Sequence, residues 1–119
     1  MRIAGSGHVT AKAPATRCLR LLGAEIIKVA PPQGDAMRYY TRDPERRGMA
    51  EPFIGASAGK KSVIRDLRSG KGREAAQAML AQADVFVEAF RPAVAERPGL
   101  GVEALVTAHP CLMTLTESP

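Results

Sequence analysis

The sequence predicts an α/β fold, a parallel sheet with helices on its faces, and three observations carry that expectation. Short β-branched apolar runs alternate with helix-period segments along most of the chain, the rhythm of repeated βαβ units with right-handed crossovers. The clearest run is short and β-branched, as in a strand covered on both sides. With 119 residues, of which 45% are hydrophobic, the chain has room for one domain and hides roughly two-thirds of its unfolded surface.

Taken in order, residues 2–4 form a weak opening strand, with Ile3 its one strong β-former and Gly5, Ser6 and Gly7 closing it. Ala15, Cys18, Leu19 and Leu22 recur at the spacing of one helical face, with Arg17 and Arg20 turned away. Pro14 suits the first turn of that helix and Gly23 its stop. Residues 24–30 contain Ile26, Ile27 and Val29 and read as a strand. Residues 31–59 carry four Pro and four Gly with no periodicity, the mark of a long, exposed, functional loop. A second clear strand spans 62–67, and a helix over 72–83 places Ala75, Ala76, Met79, Leu80 and Ala83 on one side. A strand at 84–89, a turn-rich stretch, a helix at 102–108 and a strand at 111–115 complete the series. No repeat or linker interrupts it, so residues 1–119 read as one unit.

Composition narrows the function. A net charge of +5 favours an acidic ligand, phosphates first. Two Tyr, three Phe and no Trp are too few rings for a protein that stacks single-stranded bases. No apolar run approaches the roughly 20 residues of a membrane span. Two separated cysteines and no signal-peptide pattern point to the cytoplasm. His8, His109, Cys18 and Cys111 have no companions at metal-ligand spacing, so no metal is expected.

Local motifs are weak. Gly55-Ala-Ser-Ala-Gly59-Lys60-Lys61-Ser62 approximates a phosphate-binding P-loop, but it has one residue too few between glycines, a second lysine, and a strand where a helix is needed. Gly5-Ser6-Gly7 begins a dinucleotide fingerprint whose third glycine is Thr10. Six cations lie between Lys60 and Arg73, with Asp66 the one acid among them. That run reads as either a solvated edge or an anion site. Arg65, in the middle of an expected apolar strand, would need a partner or a route to water. No paired carboxylates or nucleophile with a base emerge.

Four ordered segments are similar to the family III CoA-transferases, a family that also includes the α-methylacyl-CoA racemases. Leu22-Gly-Ala-Glu-Ile-Ile-Lys-Val29 with Pro32-Gln-Gly-Asp35 and Arg38 resembles its LGA(D/E)VIKVE…P-x-GD segment. Gly59-Lys-Lys-Ser-Val63 with Asp66-Leu67 resembles (N/G)K(R/K)S-x-x-x-DL. Ala83-Asp-Val-Phe-Val-Glu-Ala-Phe-Arg-Pro92 resembles ADV-x-(V/I)ENFRP. Gly99-Leu-Gly101 with His109-Pro-Cys-Leu112 resembles GLGY…NP-x-LV. Departures include Ala30 where the family has glutamate, Ala89 where it has asparagine, and a turn at residues 11–16 that lacks the family's glycine.

The resemblance implies the N-terminal part of a Rossmann-like large domain that binds coenzyme A, in a protein of two interlocked identical subunits. It assigns coenzyme A contacts to Val9, Thr10 and Ala11, to Arg65, Asp66, Leu67 and Arg68, to Ala89, Phe90 and Arg91, and to Arg97. It implies acyl-CoA and a carboxylic acid as substrates, and an aspartate nucleophile carried beyond Pro119, so Asp66 and Asp84 are not assigned to catalysis. Guanidinium forks suit the pyrophosphate and ribose phosphate of such a ligand. A racemase of the same family and a non-catalytic basic binding module are the alternatives.

Overall fold

The computed structural model describes residues 1–6, 12–88 and 99–116. Its strands are β1 (Arg2–Ser6), β2 (Glu25–Ala30), β3 (Lys61–Ile64), β4 (Val85–Glu88) and β5 (Met113–Thr116). Its α-helices are α1 (Lys12–Leu21), α2 (Glu51–Ser57), α3 (Gly70–Leu80) and α4 (Val102–Ala108), with short 3-10 helices at Ala36–Tyr39 and Pro44–Arg46. All five strands are parallel, in the order β3-β2-β1-β4-β5. The chain steps outward from β1 to β3, then crosses to the other side of β1 for β4 and β5. That is the doubly wound arrangement expected of alternating strands and helices.

The strand that reads as weakest lies at the centre. β1 pairs with β2 on one side and β4 on the other, so that Ile3 is opposite both Ile26 and Val85. Pairing on both sides outweighs the poor β-propensity of Ala4, Gly5 and Ser6, because propensity mostly measures fit to neighbours. Alternate residues then feed two cores. Ile3, Ile26, Val85 and Val87 pack with Leu19 of α1 on one face. Ala4 and Phe86 pack with Leu80, Leu100, Leu105 and Leu112 on the other.

Three sequence expectations are corrected. Helix α1 forms, but Ala15, Cys18 and Leu22 face solvent, Leu22 being 84% exposed. Thr16 and Leu19 meet the protein instead, because the inward side of α1 makes polar ties to the chain ahead of β3: Lys60 Nζ donates to Thr16 Oγ1 at 2.6 Å, and Arg20 Nε to Gly59 O at 2.8 Å. Residues 31–59 are not all loop, since α2 lies among them. Its seven residues bury only Phe53, too little for a visible stripe, while Pro52 and Glu51 suit its first turn. Finally, β3 stops at Ile64, leaving Arg65 beyond the strand.

Candidate functional site

A doubly wound sheet holds ligands outside the carboxyl ends of its strands, where the strand order reverses. Here that point lies between β1 and β4, where Ser6 and Glu88 are register partners and Glu88 is buried. Val9, Thr10 and Ala11 follow β1 in the chain, and Ala89, Phe90, Arg91 and Arg97 follow β4; both sets lie outside the described residues. Arg65, Asp66, Leu67 and Arg68 follow β3 and are described.

These four residues form a tight turn leading into α3. The Arg65 N–H donates to Ala30 O at 2.9 Å, extending the β2–β3 ladder by one bond. Its guanidinium is exposed and donates to Ile64 O at 2.7 Å, so the desolvation that would have demanded a partner in mid-strand does not arise. Asp66 Oδ1 accepts from the Arg68 N–H at 3.0 Å and from Arg68 Nε at 3.1 Å. Those bonds, the backbone one first, hold the Asp66 carboxyl below its ordinary value. Leu67 turns inward onto the core. Ser69 caps α3, its Oγ accepting from the Gly72 N–H at 3.0 Å and donating to Asp66 O at 2.8 Å. Two exposed guanidiniums therefore stand just ahead of a capped helix N-terminus, a combination of charge and N–H donors that suits phosphate oxygens.

The basic run between Lys60 and Arg73 does not form one patch. Lys61 Nζ lies 2.5 Å from Glu25 Oε1, Lys60 is turned to Thr16, Arg68 pairs with Asp66, and Arg73 donates to Arg68 O at 3.5 Å. Nor does Gly55–Ser62 form a P-loop: helix α2 precedes Lys60 and strand β3 follows it, the reverse of that motif's order.

A second charged group was not anticipated. Lys28 Nζ pairs with Asp35 Oδ2, and Asp35 Oδ1 accepts from the Met37 N–H at 2.8 Å. The Phe53 ring lies 4.0 Å from Arg38 Cζ and 5.3 Å from Lys28 Nζ. Burial, and after it the Arg38 charge, hold the Lys28 amine below its ordinary value even with Asp35 in contact. The available signal was a lysine set between the β-branched Ile27 and Val29 of β2. Another cross-link joins α3 to the segments on either side of α4. Gln77 Nε2 donates to Gly99 O at 3.1 Å, and His109 Nε2 donates to Gln77 Oε1 at 2.9 Å.

Among the described residues no cluster of three or more His, Cys, Asp or Glu could hold a metal ion, and no helix is long and apolar enough to cross a membrane.

The sequence model of CoA-transferase family III matches residues 1–118. The chain belongs to that family. It is 41% identical over 93 residues to the probable fatty acyl-CoA transferase Rv3272 of Mycobacterium tuberculosis, covering 77% of this chain and 24% of the relative. It is 34% identical over 95 residues to the cinnamoyl-CoA:phenyllactate CoA-transferase of Clostridium sporogenes, covering 76% and 23%. A crystal structure of a CAIB/BAIF family protein from Brucella suis superposes with a TM-score of 0.89 at 29% identity, over all of this chain and 34% of that one. The chain thus spans about a quarter of the length of the curated family III relatives it matches.

Proposed function

We propose that this chain forms the coenzyme A-binding portion of a family III CoA-transferase, a protein that moves coenzyme A from an acyl-CoA to a carboxylic acid. The observation that carries the reading is topological. The segments assigned to coenzyme A follow the carboxyl ends of β1, β3 and β4, the edge where a doubly wound sheet takes its ligand. The exposed Arg65 and Arg68 ahead of α3 offer charge-assisted bonds to the ligand's phosphates. Relatives named as CoA-transferases for several different acids support the reaction class.

In this reading Val9, Thr10, Ala11, Ala89, Phe90, Arg91 and Arg97 complete the contact surface, and residues 1–119 are one part of a larger domain. Binding at the nucleotide end positions the thioester for an aspartate nucleophile carried elsewhere in the whole protein. The whole protein works as an interlocked homodimer in the cytoplasm. Isothermal titration with coenzyme A tests the binding claim. Saturable heat at one ligand per chain is expected, and no heat at millimolar ligand would remove the site from this chain.

A further inference from the structure

Helix α1 covers only part of its side of the sheet. Its Leu19 packs on Ile3, Ile26, Val85 and Val87, while the bonds from Lys60 to Thr16 and from Arg20 to Gly59 O hold one flank of the helix toward β3. At about 100° per residue, Ala15, Cys18 and Leu22 fall on the opposite flank, turned toward β5. The Leu22 N–H continues the helix by donating to Cys18 O at 3.1 Å. In β5, Met113 and Leu115 are the register partners of Val85 and Val87, so their side chains emerge on this same face. Among the described residues the helices that follow β3 and β4 pack on the other face, through Leu80 and Leu105. Leu21, Leu22, Met113 and Leu115 are 74%, 84%, 61% and 49% exposed. A helix flank with the spacing of a core stripe thus borders a strip of sheet that is bare as well.

The occupant this face fits is a second copy of the chain. It carries both a projecting helix flank and an open strip beside that helix, the two halves that a self-complementary, two-fold contact requires; a foreign helix would need only the strip. None of Ala15, Cys18, Leu21, Leu22, Met113 and Leu115 is charged, so two copies can meet here without the repulsion that a net charge of +5 creates elsewhere on the surface. The four large side chains supply on the order of half of the ~800 Å² per partner that a standard interface buries, which fits reversible, micromolar association. We propose that the chain forms a two-fold dimer in which the Ala15, Cys18 and Leu22 flank of α1 packs antiparallel against its symmetry mate and covers Met113 and Leu115 of the other copy. Cys18, the middle residue of the flank, then lies closest to the two-fold axis. The inference is independent of coenzyme A, and it specifies a contact face that the homodimer of the proposed function does not.

The test is sedimentation of the full chain from about 1 μM to about 1 mM, repeated with Leu22→Lys, with Met113→Lys and, as a control of equal charge on the exposed side of α4, with Val106→Lys. A monomer–dimer equilibrium is expected. Val106→Lys should leave it unchanged, and Leu22→Lys and Met113→Lys should each weaken it at least about tenfold, because each charge enters the contact twice. Mild copper-phenanthroline oxidation of Cys111→Ser should link Cys18 of one copy to Cys18 of the other, a reading of the same contact that leaves the flank untouched. A chain that stays monomeric at about 1 mM, a dimer indifferent to Leu22→Lys or to Met113→Lys, or a dimer that gives no Cys18 cross-link overturns the proposal. A dimer that survives Leu22→Lys removes this face and leaves the homodimer of the proposed function standing, whereas absence of heat with coenzyme A in a chain that dimerises as described removes the ligand site and upholds the face.

Discussion

The Lys28 ammonium and the Asp35 carboxylate form an ion pair across the turn that ends β2, with Asp35 only 3% exposed. Asp35 also caps the 3-10 helix at Ala36–Tyr39, so one carboxylate fastens the start of the long β2–β3 connection to the sheet. Asp35→Ala leaves a largely buried ammonium unpaired and should lower unfolding free energy by about 3 kcal/mol. Lys28→Met combined with Asp35→Ala should recover part of that loss, because no unpaired charge is left inside. Urea unfolding of the three variants checks this. A single-variant loss below about 1 kcal/mol would make the pair a surface ornament.

Glu25 gives the fold an acid limb. Hydrogen bonds from Lys61 and then Arg2, at 2.5 and 2.6 Å, lower its carboxyl from 4.5 to about 2. A carboxyl depressed in the folded state favours folding above its unfolded value, and that contribution fades as the folded form is protonated. Wild-type stability should therefore decline as pH falls from 4.5 to about 2. Glu25→Gln should start lower at neutral pH and decline less over that window, measured by urea midpoints at each pH. Parallel pH profiles for the two proteins would exclude the assignment.

At Gly72 two effects oppose each other, and their sizes predict the winner. Within a helix, Gly→Ala ordinarily gains about 1 kcal/mol. Here an added Cβ would lie 1.9 Å from Asp66 O and 2.9 Å from Ser69 Oγ. No rotamer change relieves a backbone overlap of that size, so the Asp66–Ser69 turn must move and the cap of α3 weakens. A net loss of about 2 kcal/mol is expected for Gly72→Ala. Thermal unfolding reads the sign, and a stabilised variant would show that the turn has room to spare.

Arg68 separates binding from stability. Its side chain is 85% exposed and pairs with Asp66 on the surface, so Arg68→Glu should change unfolding free energy by less than about 1 kcal/mol. A phosphate-paired guanidinium contributes about 1.5–3 kcal/mol, so charge reversal should weaken coenzyme A by at least about tenfold. Calorimetry and urea unfolding of the same variant distinguish the two effects. Unchanged affinity takes Arg68 out of the site.

Much of this protein was legible in its residues. The short β-branched run with Ile26, Ile27 and Val29 and the alternation of strands with helices gave the parallel sheet, because β-branched runs and 3.6-residue periods are local properties. Helix α3 followed from Ala76 and Leu80 on one side, and the family segments lay in the chain in order. Edges were less legible: β3 ends at Ile64 and β5 begins at Met113, where pairing partners rather than propensity decide the last bond.

The residue pattern by itself determined the α/β class and the family. Only the tertiary structure decided that β1 is central, that Thr16 and Leu19 rather than Ala15, Cys18 and Leu22 face inward, and that burial and the Lys28 and Arg17 charges lower the Lys60 amine. The reason is common to all three. Local preferences are written in near neighbours along the chain, whereas strand position, helix rotation and the charge felt by an amine depend on groups distant in sequence that meet only on folding.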